Sequence, residues 1–319
     1  MKITALKGFD EAAFGKYLKN TGWLMLGRVG ALIKMATSIL VANYLLPKNN
    51  GILNSSISYI FLFAALASLG LDSFIVKELH ENPSNRDRIL GTSFVLKLAA
   101  GIACVPLIYV FWLFFPLTGI PYVFVLILSV AGIFQSLTII DSYFQSQVKS
   151  KYIMQVQITG NVISAGIKLA LIFVFSAKLI FFFYAFSLDI LLLSLGYFYT
   201  YKKQGLSVLK WNYDKQLAVK LLHLSWPLII SGVMVSVYMK IDVIMLKEML
   251  GKEGATASGT YATVVMFSEA LNFVPVVIVS SLFPAILNAR RDDPERYQKR
   301  LQNLFDLMVW LSLLFAIFI

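Results

Sequence analysis

Residues 21–46 read TGWLMLGRVGALIKMATSILVANYLL and carry two basic side chains, Arg28 and Lys34, inside an otherwise apolar run. A helix that crosses a membrane needs about 20 apolar residues at a rise of about 1.5 Å each, so this run is long enough to span one. A basic side chain near the centre of such a helix costs about 2.5–3.5 kcal/mol on insertion scales. The two cations therefore need a partner or a function that offsets this cost.

Composition extends the membrane interpretation to the whole chain. Of the 319 residues, 58% are hydrophobic and only 14% are charged, and the mean hydropathy of +0.75 lies above the range of soluble globular proteins. Apolar runs recur with short connections, which favours antiparallel helical hairpins. The predicted fold class is an all-α polytopic membrane protein with about nine transmembrane helices. The runs lie at 22–46, 52–76, 90–115, 120–144, 153–176, 178–201, 222–247, 259–288 and 304–319.

Several kinds of site are not expected from this sequence. The single cysteine, Cys104, can form neither a disulfide nor a cysteine-based metal site within the chain, and His80 and His223 are far apart. No phosphate-binding loop of the G-x-x-x-x-G-K-[ST] kind occurs, so ATP-driven transport by this chain is not expected. We predict no catalytic residues, no metal, no cofactor and no nucleic-acid partner, despite a net charge of +11.

The distribution of Lys and Arg predicts the orientation in the membrane. If the amino terminus is cytoplasmic, 19 of the 28 basic residues fall in inside segments and four fall in outside segments. Such a bias over short loops is typical of the positive-inside rule, so the amino terminus is predicted to lie inside. The remaining five lie within the spans: Arg28, Lys34, Lys97, Lys168 and Lys240.

The runs group into two halves. We predict a cytoplasmic amphipathic segment at 1–21, a first six-helix bundle at 22–201, a cytoplasmic linker at 202–221 and three helices of a second bundle at 222–319. An ordinary helical lead-in is the alternative for 1–21. The last run is shorter than a bilayer requires, so we expect the second bundle to be incomplete and the chain to be truncated.

Several stretches, in this order, resemble a known family. They are the Gly-Arg start of the first span (27–28), its Tyr-Leu-Leu-Pro exit (44–47), Asn-Gly-Ile-Leu (50–53), Leu-Gly-Leu-Asp (69–72), GTSFVLKL (91–98), DSYFQSQVKSKY (141–152), KIDVIML (240–246) and GTYATVVMFSEALNFVP (259–275). The chain resembles the polysaccharide-transport (Wzx, O-antigen flippase) family of the multidrug/oligosaccharidyl-lipid/polysaccharide (MOP) exporter superfamily. Its members have twelve to fourteen helices, more than this chain contains.

The resemblance implies two six-helix bundles around a cavity that opens alternately to each side. The implied substrate is an oligosaccharide on a polyprenyl diphosphate lipid, moved from the inner to the outer leaflet of a prokaryotic plasma membrane. The lipid bilayer, a glycan polymerase and chain-length machinery would be its partners. Lipid II flippases of the superfamily carry two arginines six residues apart on the first helix. Arg28 and Lys34 have that spacing, although a lysine binds phosphate as a point charge rather than as a bidentate clamp.

Three cations of the first half are candidates for binding this substrate. Arg28, Lys34 and Lys97 would give the inner half of a cavity a positive field, which suits a diphosphate because basic groups bind phosphate oxygens through charge-assisted hydrogen bonds. Intramembrane ionisable groups are functional candidates in general. The alternatives are snorkelling to the headgroups for Arg28 and Lys97 and an interhelical ion pair for Lys34.

The other intramembrane charges have more structural alternatives. Lys168 and Asp189 flank a helical hairpin at similar depths, which favours a structural ion pair. Glu269, near the middle of its span, is a candidate for binding a coupling proton or Na⁺, or for pairing with a cation. Lys240 and Asp242 are predicted either to form an outer gate or to anchor the span end at the interface.

Three competing functions remain open. A cation-coupled drug exporter of the same superfamily should have acidic cavity walls, whereas the first half carries four intramembrane cations against Asp189. A membrane glycan polymerase or acyltransferase would need catalytic groups, commonly in a sizeable outside loop, and KEMLGKEGATASG (247–259) lacks that arrangement. A non-transporting membrane scaffold would not explain charges within six spans. The favoured prediction is therefore a flippase, a transporter rather than an enzyme.

Overall fold

The computed structural model describes residues 11–271, 278 and 294–318, and no strand occurs among them. The α-helices are α1 (Glu11–Phe61), α2 (Ala64–Ser68), α3 (Asp72–Glu81), α4 (Arg86–Phe114), α5 (Tyr122–Ile133), α6 (Ile139–Ser146), α7 (Ser150–Phe173), α8 (Leu179–Lys203), α9 (Lys215–Met249), α10 (Gly254–Leu271) and α11 (Pro294–Phe318). Short 3₁₀ helices lie at Pro83–Asn85, Phe134–Thr138, Val208–Lys210 and Gly251–Glu253. The predicted all-α class is confirmed for this part of the chain.

Seven helical segments in the described part are long and apolar enough to cross a membrane. The protein is therefore a multi-pass membrane protein. The first segment, Gly30–Phe61, covers the later part of the first predicted span and the start of the second, because α1 consists of two helices joined across a kink. Leu46 leaves the helical region there (φ 61°, ψ 162°) directly before Pro47. The eighth predicted span, 259–288, lies largely outside the described residues.

Two predicted spans are interrupted. The second, 52–76, breaks after Phe61 into α2 and α3, and Leu69 and Gly70 between them have positive φ. The fourth, 120–144, changes to a 3₁₀ helix at Phe134–Thr138 and continues as α6. A 3₁₀ segment places side chains at a different angular spacing from an α-helix, so it redirects them within the span.

Apolar packing holds the first bundle together at the end that carries the α1 kink. Val41, Leu45 and Leu53 of α1 form a buried cluster with Phe182 and Phe183 of α8. The ring of Phe183 also stacks on Phe124 of α5, with centroids 4.3 Å apart. Because lipid tails are as apolar as these side chains, such packing depends on close fit rather than on exclusion of water.

The connection between α8 and α9 is docked against α4. Asp214 caps α9 by accepting a hydrogen bond from the Leu217 N–H at 2.7 Å, and its carboxylate lies 2.5 Å from the Arg88 guanidinium. The Asp214 N–H also donates to the Thr92 hydroxyl at 2.9 Å. Because of this cap, α9 begins at Lys215, so the final part of the predicted 202–221 linker is helical.

The amino-terminal segment is described only in part. Residues 11–21 are helical and continue into the first span without a break, whereas 1–10 lie outside the described residues. The predicted amphipathic surface helix at 1–21 therefore stays a prediction.

Candidate functional site

A large cavity lies among helices α1, α2, α4, α5 and α8 of the described part of the chain. It has a volume of about 400 Å³, within the range of ligand-binding pockets, and its walls come from α1, α2, α4, α5, the 3₁₀ segment and α8. Most of the wall is apolar. Four polar side chains reach it: Lys34, Ser129, Gln135 and Asp189.

Lys34 is the predicted substrate-binding residue that lies on this wall. It is exposed, and no acidic side chain pairs with it among the described residues. Arg28 lies less than two turns earlier in α1, and its side chain is outside the described part of the structure. The structure thus positions one of the two first-span cations at the cavity.

Asp189 lines the same cavity, but Lys168 of α7 neutralises its charge. Its carboxylate lies 2.6 Å from the Lys168 ammonium and accepts a hydrogen bond from the Ser164 hydroxyl. Lys168 is only 2% exposed, and its ammonium lies 4.0 Å from the centroid of the Phe186 ring. Because the carboxylate already has these partners, the charge of Lys34 has no acidic partner at the cavity wall among the described residues.

Lys97 does not reach the large cavity. It is 5% exposed and forms an ion pair with Asp72 at the start of α3, and both residues line a cavity of about 30 Å³. This small cavity shares Ala67, Gly132 and Gln135 with the wall of the larger one. The break between α2 and α3 brings Asp72 to Lys97. The predicted continuous span at 52–76 gave no indication of this contact.

A second, more polar cavity of about 150 Å³ lies between α1, α9 and α10. Lys240 and Glu269 line it and lie 3.2 Å apart, so the coupling candidate and a gate candidate are paired with each other. The other gate candidate, Asp242, accepts a hydrogen bond from the Tyr261 hydroxyl at 2.5 Å. Phe186 contributes to the walls of both this cavity and the larger one.

The sequence did not point to the contacts that join the two halves near the α1 kink. Thr118 donates hydrogen bonds from its N–H and hydroxyl to Glu248, and its carbonyl accepts one from Lys247 at 2.7 Å. Nearby, the Asn50 amide donates to the Gly259 carbonyl at 3.1 Å. Loop residues show no hydrophobic periodicity that would predict such contacts. The available signal in the sequence was the charged pair Lys247 and Glu248 at the end of an apolar run.

No group of three or more metal-binding side chains occurs among the described residues. The polar groups of the site are instead distributed along cavities at membrane depth. Fold and site together define a class, namely helical multi-pass membrane proteins with cavities between their helices.

Comparison with known families narrows this class. A sequence profile described as polysaccharide biosynthesis protein matches residues 17–289, and the chain belongs to this family. The fold is similar to a solved structure described as the inward-facing conformation of a multidrug resistance MATE family transporter of the MOP superfamily. The two share 14% identity with a TM-score of 0.66, over 89% of this chain and 68% of that chain. No curated protein matches the sequence. The predicted polysaccharide family is therefore confirmed, and the fold is that of a transporter of the predicted MOP superfamily.

Proposed function

We propose that this protein moves a polyprenyl-diphosphate-linked oligosaccharide, such as an O-antigen or exopolysaccharide unit, from the inner to the outer leaflet by alternating access. The observation that carries the proposal is the uncompensated charge of Lys34 on the wall of a 400 Å³ cavity at membrane depth. A cation in that position is unfavourable without an anionic ligand. A diphosphate supplies such an anion and is part of the substrate class of the family.

The three predicted substrate-binding cations have different parts in this proposal. Lys34 makes the first contact with the diphosphate, and Arg28 extends the positive field toward the cytoplasmic end of α1. Lys97 contributes only when its ion pair with Asp72 opens, because that carboxylate holds its ammonium in the small cavity. Lys34 is therefore the residue to test.

Export of surface glycan in a host without its own flippase tests the proposal. We expect this chain, expressed as part of its complete open reading frame, to restore export, and Lys34→Gln to lower export about tenfold or more, since a charged hydrogen bond contributes about 1.5–3 kcal/mol. Lys34→Arg should retain export. Lys178→Gln, a change at an exposed lysine outside both cavities, is the matched control. Full export by Lys34→Gln at equal membrane levels would contradict the role of Lys34.

A second candidate function is cation-coupled export of a small molecule, and one contact favours it. Glu269 lies on the polar cavity with its side chain 40% exposed, so its carboxylate is accessible to a proton or Na⁺ despite the ion pair with Lys240. Under this alternative, cells that express the chain gain resistance to organic cations, and Glu269→Gln abolishes the gain. Resistance without glycan export would select it over the flippase.

A further inference from the structure

The apolar part of the large cavity needs an explanation of its own. Its walls include Ile57, Phe63, Ile108, Leu128 and Leu193, which offer nothing to the hydroxyl groups of a sugar. An oligosaccharide needs hydrogen-bonding walls, and the polar cavity beside α10 is better supplied with them. The ligand that suits the large cavity is therefore apolar over most of its length.

The charge balance at the cavity specifies the other end of that ligand. Lys34 and Asp189 both line the cavity, and Lys168 and Ser164 already hold the Asp189 carboxylate. Among the described residues of the cavity wall, Lys34 is the cation without an acidic partner, and it lies at one side of an apolar chamber. An amphiphile with an anionic head and an apolar chain complements both features.

We propose that this cavity binds the lipid end of the substrate, with the first isoprenoid units in the chamber and the adjoining phosphate at Lys34. The inference extends the proposed flippase function by separating a lipid subsite inside the first bundle from the sugar-binding region. An apolar chain gains no hydrophobic free energy by leaving the bilayer for a protein cavity. Selectivity must therefore come from the phosphate at Lys34, whereas the chain is what fills the chamber and covers Cys104, so protection of the thiol requires head and chain together.

The chain contains a natural reporter for this test. Cys104 is the single cysteine of the sequence, is 7% exposed and lies on the cavity wall. A ligand in the chamber blocks access to its thiol. The rate at which N-ethylmaleimide alkylates Cys104 in the purified, detergent-solubilised protein therefore measures occupancy.

We expect farnesyl diphosphate to slow alkylation about tenfold at a concentration of about ten times its Kd, because the free fraction falls to about one part in eleven. Inorganic diphosphate and farnesol should each protect far less at the same concentration. Lys34→Gln should lose most of the protection by farnesyl diphosphate, and Lys34→Arg should keep it. Equal protection by inorganic diphosphate, or equal protection by farnesol, would overturn the proposal.

A matched control separates binding from general effects of an amphiphile. The control carries Cys104→Ala with Val110→Cys, which moves the thiol to an exposed position on the same helix outside the cavity. Farnesyl diphosphate should leave its alkylation unchanged, and equal slowing there would overturn the proposal. Protection and export are independent readouts. Export without Cys104 protection rejects the lipid subsite alone, whereas protection without export rejects the flippase function.

Discussion

Lys168 and Asp189 determine how the interior of the first bundle accommodates charge. Lys168 is almost fully buried, so its ammonium depends on Asp189 at 2.6 Å and on the face of the Phe186 ring. Pairs of this kind are strongly destabilising when one partner is removed, because the other is left buried and uncompensated. Removing both charges is much less harmful. The pair thus holds α7 against α8 beside the cavity.

We expect Asp189→Asn to lower the free energy of unfolding by about 3–5 kcal/mol, because it leaves the Lys168 charge buried. Lys168→Met should be similarly harmful through the unpaired carboxylate. The double variant Lys168→Met, Asp189→Asn should recover much of the loss, which melting of the detergent-solubilised protein measures. A double variant no more stable than either single one would contradict an interaction between the two.

How far the sequence predicted the charged residues depended on their separation along the chain. Lys168 and Asp189 lie on adjacent spans with a short turn between them, so counting the rise per residue was enough to bring them to one depth. Lys97 and Asp72 required knowledge of the break at Leu69 and Gly70. The pairing of Lys240 with Glu269 depended on the packing of α9 against α10, which hydropathy does not contain.

Helix ends and breaks position the cavities. The 3₁₀ segment at Phe134–Thr138 supplies Gln135 to the large and small cavities alike, and the α2–α3 break delivers Asp72 to Lys97. The hydropathy runs predicted the existence of these spans well. They could not predict the interruptions, because a 3₁₀ turn and two residues of positive φ hardly change local hydropathy.

The cap of α9 gives the linker a predictable pH dependence. The Leu217 N–H, together with the Arg88 guanidinium, holds the pKa of the Asp214 carboxyl below its ordinary value of 3.8. A carboxyl with a lowered pKa in the folded state contributes stability above its unfolded pKa, and this stability is lost as the pH falls through the folded pKa. Asp214→Ala should therefore lower the melting temperature at pH 7, and the difference from the natural protein should narrow below about pH 4.

Asp214→Asn separates the two contributions at this position. Asparagine is a good amino-terminal cap but has no charge for Arg88, so its melting temperature at pH 7 should lie between those of the natural protein and Asp214→Ala. An Asp214→Ala difference that stays constant from pH 7 to pH 3 would contradict an ionised carboxylate as the stabilising group.

Across the whole molecule, the two halves meet tightly at the end that the charge distribution assigns to the outside. A Cβ atom added to Gly51 would lie 1.7 Å from the Ala255 carbonyl oxygen, and one added to Gly259 would lie 1.9 Å from the Pro47 carbonyl oxygen. Backbones approach this closely only where neither helix carries a side chain. Ser55 and Ser258 join the same contact, with hydroxyl oxygens 3.4 Å apart.

Alternating access requires this contact to open, and a reversible crosslink tests the requirement. In a Cys104→Ala background, Ser55→Cys with Ser258→Cys should form a disulfide, since the two side chains are within bridging distance. We expect oxidation to stop glycan export and reduction to restore it. Ser55→Cys alone, in the same background, should export normally under both conditions. Undiminished export by the oxidised double variant would show that transport does not need the contact to open.

The general architecture was largely predictable, whereas the joining of the halves was not. Length, hydropathy and motif order were sufficient for the all-helical class and the polysaccharide family. Gly51 and Gly259 each lie beside a short connection between apolar runs, and nothing in the sequence indicated that these two connections touch. Close approach between backbones depends on two segments that are far apart in the sequence, so the local pattern of either segment does not predict it.

Because the first turn of α9 is fixed, a small tilt of this long helix produces a large displacement at its far end. With 35 residues, α9 is about 50 Å long, and its first turn is fixed to α4 through Asp214. A tilt of about 10° around that anchor would carry the far end by about 9 Å, given the helical rise. The hydrogen bonds that join Lys247 and Glu248 to Thr118 are 2.6–2.9 Å long, less than a third of that displacement. The same tilt moves the end of the anchored first turn, about 5 Å from Asp214, by only about 1 Å, whereas it breaks the hydrogen bonds at the opposite end of α9.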